Sequence, residues 1–336
     1  MATRRQVALA VLGAVAFFLG VQLGALALVE PFQAAGYQAV ENPEDPANTL
    51  FYIGVLLVAT AGMLVLFRVN RTLLLRAGIV LTSGMISAYV FSTFLPPLAG
   101  LGIPFHGGAA LGALAIIVGL FAYPEWWVLD AAGLIMGMGA AALFGISLSV
   151  LPVLLLLVAL AVYDAISVYG TEHMLTLASG VMELRVPVIV IIPTSASYSF
   201  LAMADRMAAE VGGEEGGQAK ETPEAASTDP DEESNGDPFE RDAFFIGLGD
   251  AVIPTILVAS ATAFLETPAV FGIEIASLGA MVGTLAGLLA LLWMVMKGRA
   301  HAGLPLLNGG AILGYLGGAL LGGVSVLQAL GIETLL

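Results

Sequence analysis

The chain has 336 residues, of which 59% are hydrophobic and only 11% charged, and its mean hydropathy is +0.96. An ordinary soluble domain carries about 25% charged residues, so this chain cannot hide its apolar surface in a core of its own, and its solvent is a bilayer. The absence of cysteine excludes a disulfide framework, a thiol nucleophile and a thiolate metal site, and the net charge of −15 excludes nucleic acid as a partner.

In chain order, nine hydrophobic runs are long enough to be read as spans: Val7–Val29, Leu50–Phe67, Thr72–Leu95, Ala109–Ala122, Trp126–Phe144, Ser149–Tyr169, Ala243–Phe264, Ile273–Met296 and Leu304–Leu330. A span needs about 20 apolar residues, and the fourth is short. Interior glycine and proline are tolerated in membrane helices. The 41 glycines suit helices that pack closely without water to drive them together. Arg4 and Arg5 precede the first run, and Ala25-Leu26-Ala27 resembles a signal-peptidase site. The run exceeds the 7–15 residues of a typical signal core, however, and is expected to be retained.

The basic residues orient the array. All 11 Lys and Arg fall in four places: before span one, between spans two and three, between six and seven, and between eight and nine. With nine spans and a cytoplasmic N-terminus, all four lie on the cytoplasmic side. The opposite loops carry Glu41, Glu44, Asp45, Glu266 and Glu333. Removing one span breaks this agreement, which supports the short fourth one. The expected class is therefore an all-α polytopic membrane protein with its C-terminus outside. Residues 1–170 hold helices one to six, 171–242 form a cytoplasmic loop, and 243–336 hold helices seven to nine.

The loop itself is heterogeneous. From Asp205 to Asp242 it holds 13 acidic and 3 basic residues. The stretch 205–241 has too few apolar side chains to offset the entropy of ordering, so disorder is expected. Before it, the β-branched run Arg185-Val-Pro-Val-Ile-Val-Ile-Ile192 reads as a short strand. It serves either as an interfacial strand or as an edge to which a substrate pairs.

Two carboxylates sit inside otherwise lipid-soluble segments: Asp164 in span six and Asp250 in span seven. A carboxylate at the centre of a membrane helix costs roughly 2.5–3.5 kcal/mol on insertion scales, so it is seldom there without a use. Counting from the span ends, they lie roughly 8 and 11 Å from the same face. Consecutive antiparallel spans can thus hold both at one level. Two facing carboxylates do not both ionise easily. The charged one can take a proton from water while the neutral one donates to a carbonyl oxygen or leaving nitrogen. Such a dyad titrates as a unit. Gly247 and Gly249 would let span six, or a substrate backbone, come close.

Other chemistries lack their parts. His106, His173 and His301 are scattered and form no H-E-x-x-H, and no cofactor motif is present. Ser147 and Ser149 have no histidine at matching depth and read as structural hydroxyls. Asp130 and Glu172 read as interfacial, and Trp126 and Trp127 as an interface belt.

Tyr163-Asp164 in span six, Gly247-Leu248-Gly249-Asp250 in span seven and a proline motif opening span nine resemble the presenilin and signal-peptide-peptidase intramembrane aspartyl proteases. The architecture matches too: nine spans, with a long loop between the aspartate spans. The resemblance implies that Asp164 and Asp250 are the catalytic pair. It also implies that single transmembrane helices of other proteins are cut within the lipid bilayer. By the same resemblance Tyr163, Gly247, Leu248, Gly249, Pro305, Leu306 and Leu307 contact substrate. One departure stands out: the family's Pro-Ala-Leu is here Pro305-Leu306-Leu307, whose larger Leu306 narrows the cleft or displaces the helix. The orientation is that of the presenilin branch, and the compact chain looks like a microbial homologue in the cell membrane. The alternative on the same residues is a proton- or ion-coupled transporter using both aspartates as carriers, although no repeat relates the two halves. A non-catalytic scaffold, the third reading, would tolerate Asp→Asn changes.

Overall fold

The structure is a computed structural model that describes residues 4–69, 71–95, 107–170, 186–194, 198–203, 243–297 and 302–333. The three histidines, Glu172 and the acidic stretch 205–241 lie outside the described residues. The helices are α1 (Arg4–Ala34), α2 (Ala47–Arg68), α3 (Thr72–Phe94), α4 (Gly107–Ala122), α5 (Trp126–Ser147) and α6 (Val150–Gly170). Strands β1 (Ile189–Pro193) and β2 (Ala243–Gly247) follow, then α7 (Leu248–Phe264), β3 (Ala269–Val270), β4 (Ile273–Glu274), α8 (Ile275–Val295), α9 (Gly303–Leu321) and the single turn α10 (Val326–Ala329). Of the described helices, α1, α2, α3, α5, α6, α8 and α9 are long and apolar enough to cross a membrane. The apolar α4 and α7 are shorter, at 16 and 17 residues.

Three expected span boundaries change. The seventh opens as a strand, because Ala243–Gly247 pairs antiparallel with β1 and satisfies its backbone there. The eighth begins one residue after the short β3–β4 ladder. The ninth ends at Leu321, where Gly323 takes a positive φ of 83° and turns the chain into α10. The protein is therefore mostly helical, with two short two-stranded sheets, and not all-α.

Packing explains the elements that hydropathy leaves marginal. The last carbonyls of α4 lack helical partners. Arg76 of α3 donates from Nη2 to the Leu120 carbonyl at 3.0 Å, and its guanidinium lies 5.5 Å from the centre of the Phe121 ring. Helix α2 fully buries only Thr49, whose hydroxyl donates to the Pro152 carbonyl at 2.9 Å; Tyr52, Ile53 and Leu56 pack partly buried against the core, and Leu50, Phe51 and Val58 are exposed. The Ser147 hydroxyl donates to the Leu143 carbonyl, as expected of a structural hydroxyl, and the Ser260 hydroxyl donates to the Leu148 carbonyl. The tightest contact joins α8 to α9. A Cβ added at Gly283 would stand 2.0 Å from the Gly310 carbonyl oxygen, and one at Gly314 would stand 2.1 Å from that of Gly279. Here two helices touch main chain to main chain.

At one end of the bundle, Glu44, Glu266 and Glu333 from three separate loops line one cavity of about 420 Å³. The three acids that the charge pattern put on a common side do lie together. Nearby, Glu274 is pushed up to about 7 by burial and by the charge of Glu266. Because its folded-state value lies above the ordinary 4.5, the folded chain holds a proton that the unfolded chain releases. The associated stability is present in full below the ordinary value and is lost as pH rises through about 7. Glu274→Gln should therefore raise the unfolding temperature at pH 8 and leave it unchanged at pH 4, as thermal unfolding in detergent would show.

Candidate active site

The sheet and two helix starts build the site. Strand β1 pairs with β2 in a register that sets Val190 opposite Ile246 and Ile191 opposite Phe245. The Leu248 N–H continues the ladder to the Val188 carbonyl at 2.8 Å. The Ile191 N–H points the other way, to Asp130 Oδ1 of α5 at 2.8 Å. By antiparallel alternation, the even-numbered residues of β1 and β2 face each other, while Phe245 turns its N–H and C=O, and Gly247 its N–H, to the outer edge of β2; the Gly247 carbonyl caps α7 and opens its helical ladder. The sequence suggested an edge on Val186–Ile192. In the structure that strand lies between β2 and Asp130, and the open edge among the described residues belongs to β2.

The β2 strand hands directly to α7, so Asp250 falls in the first turn of that helix. Asp164 lies toward the far end of α6. Both carboxylates, each partly exposed, line one cavity of about 690 Å³, together with Phe245, Gly247, Leu291 and Gly303. They are close enough for the charge on one to act on the other. The start of α9 bridges them. The Leu304 N–H donates to Asp164 Oδ2 at 3.0 Å, and the Gly303 N–H lies near the same carboxylate. A Cβ on Gly303 would stand 3.2 Å from Asp250 Oδ2, so glycine there lets α9 meet both carboxylates at once. One turn on, Asn308 is fully buried and donates from Nδ2 to the Leu157 carbonyl of α6 at 2.9 Å. This second bond fixes the register of α6 against α9. Among the described residues, no group of three metal-ligating side chains occurs.

The other residues singled out in the sequence are placed as follows. Gly247 lines the cavity, and a Cβ there would sit 3.6 Å from Asp250 Oδ2, an ordinary contact. A Cβ on Gly249 would meet only Ile253 of its own helix at 3.8 Å, so α6 does not press on either glycine. Leu248 is buried against the Gly133 and Gly137 positions of α5. Tyr163 is 50% exposed on the outer surface of α6 and is not among the cavity-lining residues. Pro305 and Leu306 are partly buried in the first turn of α9, and Leu307 is completely buried among Leu288, Leu291 and Leu292. Four contributors carry no sequence signal of their own: Gly303, the Leu304 amide, Asn308 and the Phe245 edge. Asp130 was visible as a carboxylate but read as interfacial; its backbone partner could not be seen.

No curated protein matches this chain. Solved structures do. A presenilin family intramembrane aspartate protease in space group C222 shares 36% identity and a TM-score of 0.60, covering 93% of this chain and 99% of its own. Another, in space group P2, shares 38% identity and a TM-score of 0.59, covering 92% of this chain and 97% of its own. The family model described as signal-peptide peptidase, presenilin aspartyl protease matches residues 15–324. With that match over most of its length, the chain belongs to the presenilin and signal-peptide-peptidase family of intramembrane aspartyl proteases.

Proposed function

We propose that this chain hydrolyses peptide bonds within single transmembrane helices, using Asp164, Asp250 and a water molecule. The observation that carries the proposal is that the two aspartates line one cavity and meet the start of α9, where the Leu304 N–H donates to Asp164 and Gly303 leaves room for Asp250. In the reaction, the charged carboxylate removes a proton from water as the oxygen attacks the scissile carbonyl. The neutral carboxyl donates its proton as the carbon–nitrogen bond breaks. No covalent intermediate is needed, and the dyad leaves each turnover with one shared proton. All nine apolar helices cross the membrane, α4 and α7 included, with the N-terminus cytoplasmic and the C-terminus outside. Water then enters from the cytoplasmic side of a cell membrane. Gly247 and the Pro305–Leu307 turn border the path of the substrate.

An intact helix hides its carbonyls in i→i−4 bonds, so the substrate must unwind before it is cut. The outer edge of β2 offers a place for the unwound segment, since the Phe245 N–H and C=O and the Gly247 N–H have no partner among the described residues and border the cavity that Asp250 lines. Purified protein in detergent, given a generic single-span substrate, should release two fragments whose junction lies inside the apolar segment by mass spectrometry. Intact substrate after prolonged incubation would overturn the proposal. The strand edge has its own test. Proline is tolerated where a strand N–H faces away from its partner, so Phe245→Pro removes one edge donor and leaves the β1–β2 ladder whole. Cleavage should fall about fivefold relative to Phe245→Ala, the size of one net hydrogen bond. Equal rates for the two variants would remove β2 from substrate binding.

A further inference from the structure

We propose that Tyr198 and Met203 form the wall that selects which substrate side chain is accepted beside the cut bond, and that Glu125 is the positioning residue that holds this wall. The inference rests on the protease reading of the cavity. Glu125 opens α5 and is only 6% exposed. Its two oxygens are filled by donors from the segment beyond β1: the Ser199 hydroxyl on Oε1 at 2.5 Å and the Phe200 N–H on Oε2 at 3.0 Å. The Trp126 N–H adds to Oε2 at 3.3 Å. A buried carboxylate satisfied by three donors is a docking post, and its use here is to fix residues 198–203 against the start of α5.

Phe200 is buried among Leu129, Ile191 and Ala243, which anchors that segment. Tyr198 and Met203 are partly buried against the same cluster and also reach the aspartate cavity, which they line together with Leu288, Leu291 and Leu292 of α8. The Tyr198 hydroxyl donates to Met203 Sδ at 3.3 Å and holds the pair together. A substrate residue entering the cavity thus meets rigid aliphatic side chains. It also meets a methionine, whose unbranched chain adapts to the shape presented. Moving or trimming Met203 changes the room available directly beside the dyad, and Glu125 decides where Met203 stands.

The test uses full-length protein in detergent and single-span substrates that carry Ala, Leu, Phe or Trp next to the cleavage position. It reads kcat/KM for each and the cut position by mass spectrometry. Met203→Ala should raise the Phe-to-Ala preference about tenfold, and Met203→Phe should lower it by a similar factor, as expected for a few methylene groups of pocket space. Glu125→Ala should spread cleavage over neighbouring positions. Glu125→Gln should keep the wild-type position, because its oxygen can accept the Phe200 N–H while its amide donates to the Ser199 hydroxyl. An unchanged preference in both Met203 variants, with active wild-type protein, would overturn the wall. A wild type that cuts none of the substrates would overturn the protease reading and this inference with it.

Discussion

Asp164→Asn and Asp250→Asn should each reduce cleavage of a single-span substrate to background, a loss of at least about 10²–10⁴-fold. Asparagine keeps the size of aspartate and an acceptor oxygen, so at position 164 it can still receive the Leu304 N–H. What it loses is the ability to bind and release a proton. On the protease reading the two carboxylates act as one unit, so the double variant should be no slower than either single one. Fragment appearance on gels and by mass spectrometry reads activity, and gel filtration with thermal unfolding checks that each variant is folded. A folded Asp164→Asn or Asp250→Asn protein that cuts at the wild-type rate would remove that residue from the chemistry. Proton uptake into vesicles that depends on both aspartates, without any cleavage, would instead assign the carrier function.

The largest expected effect on stability lies at the α8–α9 contact. Gly283→Leu or Gly310→Leu should abolish the folded protein, because even a methyl group at Gly283 would sit 2.0 Å from the Gly310 carbonyl oxygen. No side chain at that point can rotate away, so the helices must separate. Overpacking a well-packed core costs about 1–3 kcal/mol where side chains can adjust, and more where backbone must move. Gly309 and Gly317 on the same helix have nothing within 4 Å of an added Cβ. Gly309→Ala and Gly317→Ala should therefore unfold at the wild-type temperature or slightly above it, as alanine is the better helix former. Thermal unfolding of the four variants in one detergent makes the comparison. A stable Gly283→Leu protein would contradict the close packing of this pair.

The dyad was legible because an acid in an apolar run is costly, and cost is visible in a sequence. Asp164 and Asp250 stood out for that reason, and the depth count brought them to one level. The strand at Ala243–Gly247 was not legible. A short apolar run beside a helix carries no periodicity that separates strand from helix. Moving the start of α7 to Leu248 also turned that residue into the core against α5, away from the cavity. The Asp130–Ile191 and Leu304–Asp164 bonds were hidden for a different reason: their donors are backbone N–H groups, which every residue but proline owns. The end of α9 had a signal that hydropathy overrode, since Gly322-Gly323 is an ordinary helix stop.

Both aspartates are served by amino-terminal helix ends: Asp250 lies in the first turn of α7, and Asp164 receives the Leu304 amide at the start of α9. Each such end carries a partial charge of about +0.5 from the aligned peptide dipoles. The two together place about one positive charge at a cavity whose lining, among the described residues, has no lysine, arginine or histidine. On the protease reading, the oxyanion that forms when water adds to the scissile carbonyl enters a field that is already set. That field is built from main chain, so it survives any change of side chain at the positions that supply it, proline excepted.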